Sequence, residues 1–251
     1  MFVTILVLIL ILGVLILSHE LGHLWAAKKA GARVLEFGFG FPPRILQKKI
    51  NGTNYSLNLI PLGGYVKIHG EQGNAKGDKD SFASKSILSR AGILSAGVGM
   101  NILVAILLMI VIAFFKEPWY QAVFVGIGDT FRLLWLIIEA LYQIISSLIV
   151  SGSFDGDVLG PVGIASVTSI IIDQGVLQVI HFTALLSLNL AIINILPFPA
   201  LDGGRLLFLL IEKIKGSPVS SRVEYVVHTA GFALLMLLMV FVTWKDIARI
   251  I

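Results

Sequence analysis

The sequence predicts an α-helical integral membrane protein, with four transmembrane helices, a small membrane-associated β-sheet or hairpin, and one interfacial amphipathic helix. Three observations carry that prediction. Of the 251 residues 57% are hydrophobic and only 14% charged, where soluble domains carry about 25% charged residues, and mean hydropathy is +0.92. Apolar runs long enough to cross a bilayer recur along the chain. Lys and Arg gather in two stretches between those runs. Cysteine is absent, which excludes disulfides and thiolate metal sites. The net charge of +4 follows the membrane topology, so no nucleic-acid partner is expected.

The first span covers about 2–30. It lacks the basic start and small-residue cleavage site of a signal peptide, and reads as a retained helix. Residues 33–69 alternate apolar and polar in short segments, and "INGTNY" between two of them reads as a tight hairpin turn. Residues 70–86 form a polar loop rich in turn residues. Further spans are expected at about 89–115, 180–201 and 226–244. The stretch 123–150 is apolar but holds Asp129, Arg132 and Glu139. Orientation follows from Lys and Arg: eleven lie in 28–90 and four in 205–222, with few elsewhere. These two stretches belong on the cytoplasmic side, and both termini on the outer side. A fifth span at 123–150 would reverse the next one and carry Arg205 to Arg222 outside, so 123–150 is placed on the outer leaflet.

The first span carries "HELGH" near its end. Histidines at i and i+4 share one helix face, so His19 and His23 can bind one metal, with Glu20 beside the open position. Imidazole ligands suit zinc, which lowers the pKa of a bound water so that Glu20 can accept its proton. A helix from Phe2 brings His19 about 26 Å along its axis, near the cytoplasmic edge of the hydrocarbon. The blander alternative is a pair of histidines hydrogen-bonded inside a bundle, but ionisable groups within a span are costly and usually functional.

Two histidines leave a catalytic zinc one protein ligand short. The best candidate lies in "NLAIINILPFPALDGGRLLF", residues 189–208, where Pro197 and Pro199 disrupt the helix and Gly203-Gly204 loosen it again. Asp202 sits between these breakers, about 33 Å along a span from Ile180 and level with the histidines. Taken alone, Asp202 reads better as a helix N-cap; beside a two-histidine site at matching depth, ligation is favoured. Asn194 is placed to hydrogen-bond substrate backbone or an oxyanion, or to act as interhelical glue. His69, His181 and His228 read as structural.

"HELGH" at 19–23, "PLGGY" at 61–65 and "NILPFPALDGG" at 194–204 together resemble the site-2 protease family of intramembrane zinc metalloproteases. "GPVGIA" at 160–165 and the ending "LLMLLMVFVTWKDIARI" resemble its bacterial branch, that of the regulator of sigma-E protease. The resemblance covers nearly the whole chain. It implies zinc held by His19, His23 and Asp202, Glu20 as catalytic acid/base, and a substrate side comprising Asn194, Pro197, Pro199, Gly63, Gly64 and Tyr65. It further implies a bacterial inner-membrane location and single-span membrane proteins or remnant signal peptides as substrates. A re-entrant β-hairpin near the metal, with an exposed edge, would hold an unwound substrate by β-addition. Two departures stand out. Members of this branch usually carry one or two PDZ domains between the second and third spans, but only residues 116–179 lie there, so a single domain over 1–251 without PDZ is expected. The usual Gly-Pro-x-x-Asn of the second span reads Gly97-Val98-Gly99-Met100-Asn101.

Two other functions compete. A metal transporter would use the same intramembrane His and Asp but should show repeated spans, and none is seen. A catalytically inactive scaffold would have no need of Glu20.

Overall fold

The computed structural model describes residues 2–71, 73, 75, 77–151 and 159–250; Gln72, Asn74 and Lys76 of the expected polar loop lie outside them. The order is α1 (Phe2–Lys29), β1 (Val34–Ile50), β2 (Thr53–Ile68), α2 (Ile87–Phe114), α3 (Trp119–Ser151), α4 (Pro161–Asp173), α5 (Val176–Ile195), α6 (Asp202–Lys215) and α7 (Ser221–Ile250). α1 closes as physics requires. Lys28 and Lys29 complement the negative end of its dipole. Gly31 then takes the left-handed conformation (φ 68°), so that the Ala32 N–H reaches the Ala27 carbonyl at 2.9 Å.

Five of the helices, α1, α2, α3, α5 and α7, are long and apolar enough to cross a membrane. That is one more than the four expected. The addition is α3, one continuous helix of 33 residues that stays apolar in spite of Asp129, Arg132 and Glu139. The expected third span, 180–201, is shorter at its far end: α5 stops at Ile195, and residues 196–201 are not helical before α6 begins. Large apolar side chains such as Leu6, Leu10, Leu107, Leu237 and Phe241 are more than half exposed. Apolar surface on this scale calls for apolar surroundings.

β1 and β2 pair antiparallel around Asn51-Gly52, whose positive φ angles (48° and 81°) make the expected tight turn. The register is doubled. Glu36 faces both Lys67 and Asn54, and Phe39 faces both Gly64 and Leu57. The first half of β1 therefore lies between two stretches of β2, and residues 64–68 have a β1 neighbour on one side only among the described residues. At the centre sits Glu36, 8% exposed. Its carboxylate accepts from Arg44 (2.6 Å), Ser56 (2.9 Å), Tyr65 (2.9 Å) and Lys67 (3.3 Å). Burial opposes its charge, but the bonds from Tyr65, Ser56 and Lys67 outweigh burial and hold the carboxyl below the usual carboxylate range.

The chain packs as two units. One comprises residues 9–101 and 193–234, with a core of Leu24, Val34, Phe37, Ile68, Ile93 and Leu209. The other comprises residues 1–8, 102–192 and 235–251 and centres on Ala105, Met109, Ile112, Ala184 and Leu188. In the second unit the "GPVGIA" stretch has a plain role. Gly160-Pro161 opens α4, and the buried carboxylate of Asp246 accepts the Gly163 N–H at 2.7 Å.

Candidate metal centre

The first unit holds a cluster of titratable groups well inside its packing. The helical spacing of α1 sets the imidazoles of His19 and His23 edge to face, ring centres 4.8 Å apart. Both are about nine-tenths buried. They have room because Gly97 of α2 has no side chain: a Cβ there would lie 2.5 Å from His23 Nε2 and 2.6 Å from His19 Cε1. Gly22 serves the same approach, since a Cβ on it would overlap the Ala96 carbonyl.

Asp202 arrives from the break between α5 and α6. Pro197 and Pro199 withhold backbone donors, and the chain turns back so tightly that a Cβ at Gly203 would overlap the Leu196 carbonyl and one at Gly204 that of Phe198. Ala200 is left-handed (φ 75°), and its N–H donates to His228 Nδ1 at 2.8 Å. Gly231 of α7 packs directly on Pro199. His228, read from sequence as merely structural, thus braces the break.

These elements bring together three ligand-type atoms. Asp202 Oδ2 lies 3.0 Å from His19 Nε2 and 3.2 Å from His23 Nε2, and the two nitrogens are 3.1 Å apart. The corners of a tetrahedron around an ion bonded at about 2.0–2.1 Å are roughly 3.3 Å apart, so this donor set fits zinc. The outer ring nitrogens are engaged as well. His23 Nδ1 donates to the Ile93 carbonyl at 2.8 Å, which leaves Nε2 free to ligate. His19 Nδ1 stands 3.4 Å from the fully buried amide of Asn101, which also receives Ser18 Oγ at 3.3 Å. The sequence marked Gly97 and Asn101 only through the Gly-Pro-x-x-Asn pattern whose first and last positions they keep. Ser18 and the Ile93 carbonyl carried no signal at all.

Glu20 is half-buried beside the cluster, and among the described residues its carboxylate makes no hydrogen bond or ion pair. β2 presses against it: a Cβ at Gly64 would come within 2.9 Å of Glu20 Cγ. Gly63 is left-handed (φ 126°) against the Phe41 ring, and Tyr65 turns its hydroxyl to Glu36. Of the other expected residues, Pro197 and Pro199 lie in the break, and Asn194 is half-buried near the end of α5. A second group, His69, Asp78 and Asp80, lies in the loop after β2. Its members are already paired, His69 with Asp78 at 2.8 Å and Asp80 with Arg33, ahead of β1, at 3.1 Å.

Comparison with known proteins gives a consistent result. The profile of peptidase family M50 matches residues 7–238. The zinc metalloprotease RasP of Geobacillus kaustophilus is 26% identical, the match covering 96% of this chain and 97% of the relative. RasP of Oceanobacillus iheyensis is 27% identical over 98% and 99%. The regulator of sigma-W protease RasP of Bacillus subtilis is 26% identical over 98% and 99%. These alignments run over 407, 420 and 416 positions against the 251 residues here, so each relative carries segments that this chain lacks.

Proposed function

Because the chain belongs to peptidase family M50 and is a zinc metalloprotease, we propose that His19, His23 and Asp202 hold the zinc and that Glu20 moves the proton during hydrolysis of a peptide bond inside the membrane. The observation that carries this reading is the triangle of ligand atoms with edges of 3.0–3.2 Å, beside a carboxylate that makes no hydrogen bond or ion pair among the described residues. When bound, zinc supplies an activated water and polarises the scissile carbonyl. Glu20 would accept the proton of the attacking water and pass it to the leaving amine. The imidazole of His23, fixed through its Nδ1 by the Ile93 carbonyl, keeps its ligand atom pointed inward.

A peptide bond in a helix is shielded by its own hydrogen bonds, so the substrate must unwind. The one-sided stretch at 64–68 offers backbone groups to an unwound segment. Gly64 then sets that segment against Glu20. Asn194, whose amide has no partner among the described residues, is available to a substrate carbonyl. Tyr65, Pro197 and Pro199 shape the same region. The substrates are single-span membrane proteins or remnant signal peptides. Release of a membrane-held regulator fits the name of the Bacillus subtilis relative.

The topology is four spans with both termini outside, α3 lying in the outer leaflet of a bacterial inner membrane. Asp129, Arg132 and Glu139 fall within about 80° of one another around α3, as an interfacial helix requires. Asp129 and Arg132 also line one cavity with Lys116 and Glu117, just beyond α2, and with His181 near the start of α5. Charges on α3 thus share a level with the ends of two spans. The shorter length beside the relatives fits a single protease domain without PDZ modules.

Glu20→Gln decides the assignment. The variant should keep its zinc, by metal analysis, while cleavage of a membrane-span peptide falls by about 10²–10⁴-fold. Undiminished cleavage, or a parent protein that binds no zinc, overturns it.

A further inference from the structure

Beyond the centre itself, one ion pair joins two elements that must be aligned for the proposed chemistry. Arg205 lies one turn after Asp202 on α6, at i and i+3, so the two share a helix face. Its guanidinium Nη1 pairs with Glu71 Oε1. The other oxygen of Glu71 accepts the backbone N–H of Ile68, the last residue of β2, at 3.3 Å. Four residues earlier on that strand, Gly64 touches Glu20. A closed circuit results: Glu20 to Gly64, along β2 to Ile68, through Glu71 and Arg205 to Asp202, and from Asp202 to His19, the neighbour of Glu20.

α6 has an anchor besides this pair. Arg90 of α2 grips Glu212 of α6 with two bonds, at 3.0 and 2.5 Å, and both side chains are more than four-fifths buried. Arg205, which lines the same cavity as Glu71, is more open, at 41% exposed. Two ion pairs thus divide the work. Arg90–Glu212 anchors the helix, and Glu71–Arg205 ties its first turn to the strand.

We propose that Glu71 and Arg205 are a positioning pair that aligns the Gly63–Tyr65 stretch of β2 with Asp202, so that strand and metal ligand are set together. This rests on the zinc assignment above. An Arg-to-carboxylate bond is the suitable tie because it is charge-assisted, and the Ile68 N–H on the second oxygen fixes the direction of the Glu71 carboxylate.

The test uses the full chain in lipid, with Glu71→Gln, Arg205→Gln, the exchange Glu71→Arg with Arg205→Glu, and Arg205→Lys. Zinc affinity is measured by chelator competition, kcat and KM are read on a span peptide, and thermal melting reports folding. The single variants should lose about 10-fold in zinc affinity, the low end of what removing a group bonded directly to a ligand costs, since the pair acts on Asp202 through the helix. Their kcat should fall along with it, while melting shifts less than in Glu212→Gln. The exchange should recover both zinc affinity and kcat. Single variants that bind zinc as the parent does overturn the proposal, as does a folded exchange variant no better than the single ones. Where the exchange variant does not fold, Arg205→Lys decides, since it must bind zinc more tightly than Arg205→Gln. A parent without zinc, or an active Glu20→Gln, would instead remove the underlying assignment, and each is read separately.

Discussion

A methyl group at Gly97 would lie 2.5 Å from His23 Nε2, closer than any real Cβ contact. Gly97→Ala should therefore push an imidazole off its axis and lower zinc affinity by about 10–100-fold, as chelator competition would record. Gly99, two residues on, has open space around it. Gly99→Ala should keep zinc and melt slightly higher, by up to about 1 kcal/mol of helix propensity. At this scale the sequence is legible where chemistry is local. His19, Glu20 and His23 announce themselves because their spacing equals one helical turn. Gly97 stood out only as the glycine that keeps a familiar pattern, since nothing in a sequence says which side chain a glycine makes room for. The Ile93 carbonyl that steers His23 is invisible for a simpler reason: every residue has one.

Among the elements, the sheet contains the largest surprise. The Asn51-Gly52 turn was readable from two residues, because few others accept their conformations. The doubled register was not, and with it the position of Glu36 was lost. An acidic residue in an alternating strand reads as solvent-facing, yet here four donors enclose it. Its carboxyl is held below the ordinary value, so the stabilisation is complete above about pH 4.3 and disappears as pH falls through the folded-state value. The melting temperature of the parent should accordingly drop more steeply on acidification below about pH 4 than that of Glu36→Gln. Equal pH profiles would assign Glu36 no such role. α3 was hard to read because three charges in a long apolar helix satisfy two descriptions, a span and an interfacial helix.

Over the whole molecule, the topology proposed from the distribution of Lys and Arg can be tested cleanly, because the chain contains no cysteine. In intact cells an impermeant thiol reagent should label Gly128→Cys on α3 but not Ser84→Cys, and inverted vesicles should reverse the result. Protection of Gly128→Cys from both sides would make α3 a span. The pairs Glu71–Arg205 and Arg90–Glu212 join residues 134 and 122 positions apart. Charges that distant show no periodicity, so they surface only once the chain is folded. The glycines at 22, 64 and 97 carry a different lesson, about change over time. Around this cluster a single added carbon does not fit, so the centre leaves almost no room for drift. The outer half of β1, residues 41–50, is exposed throughout. There, Phe41 and Arg44 apart, the protein can accumulate new sequence, and with it new tastes in the peptides it meets, while the chemistry beneath stays as it was.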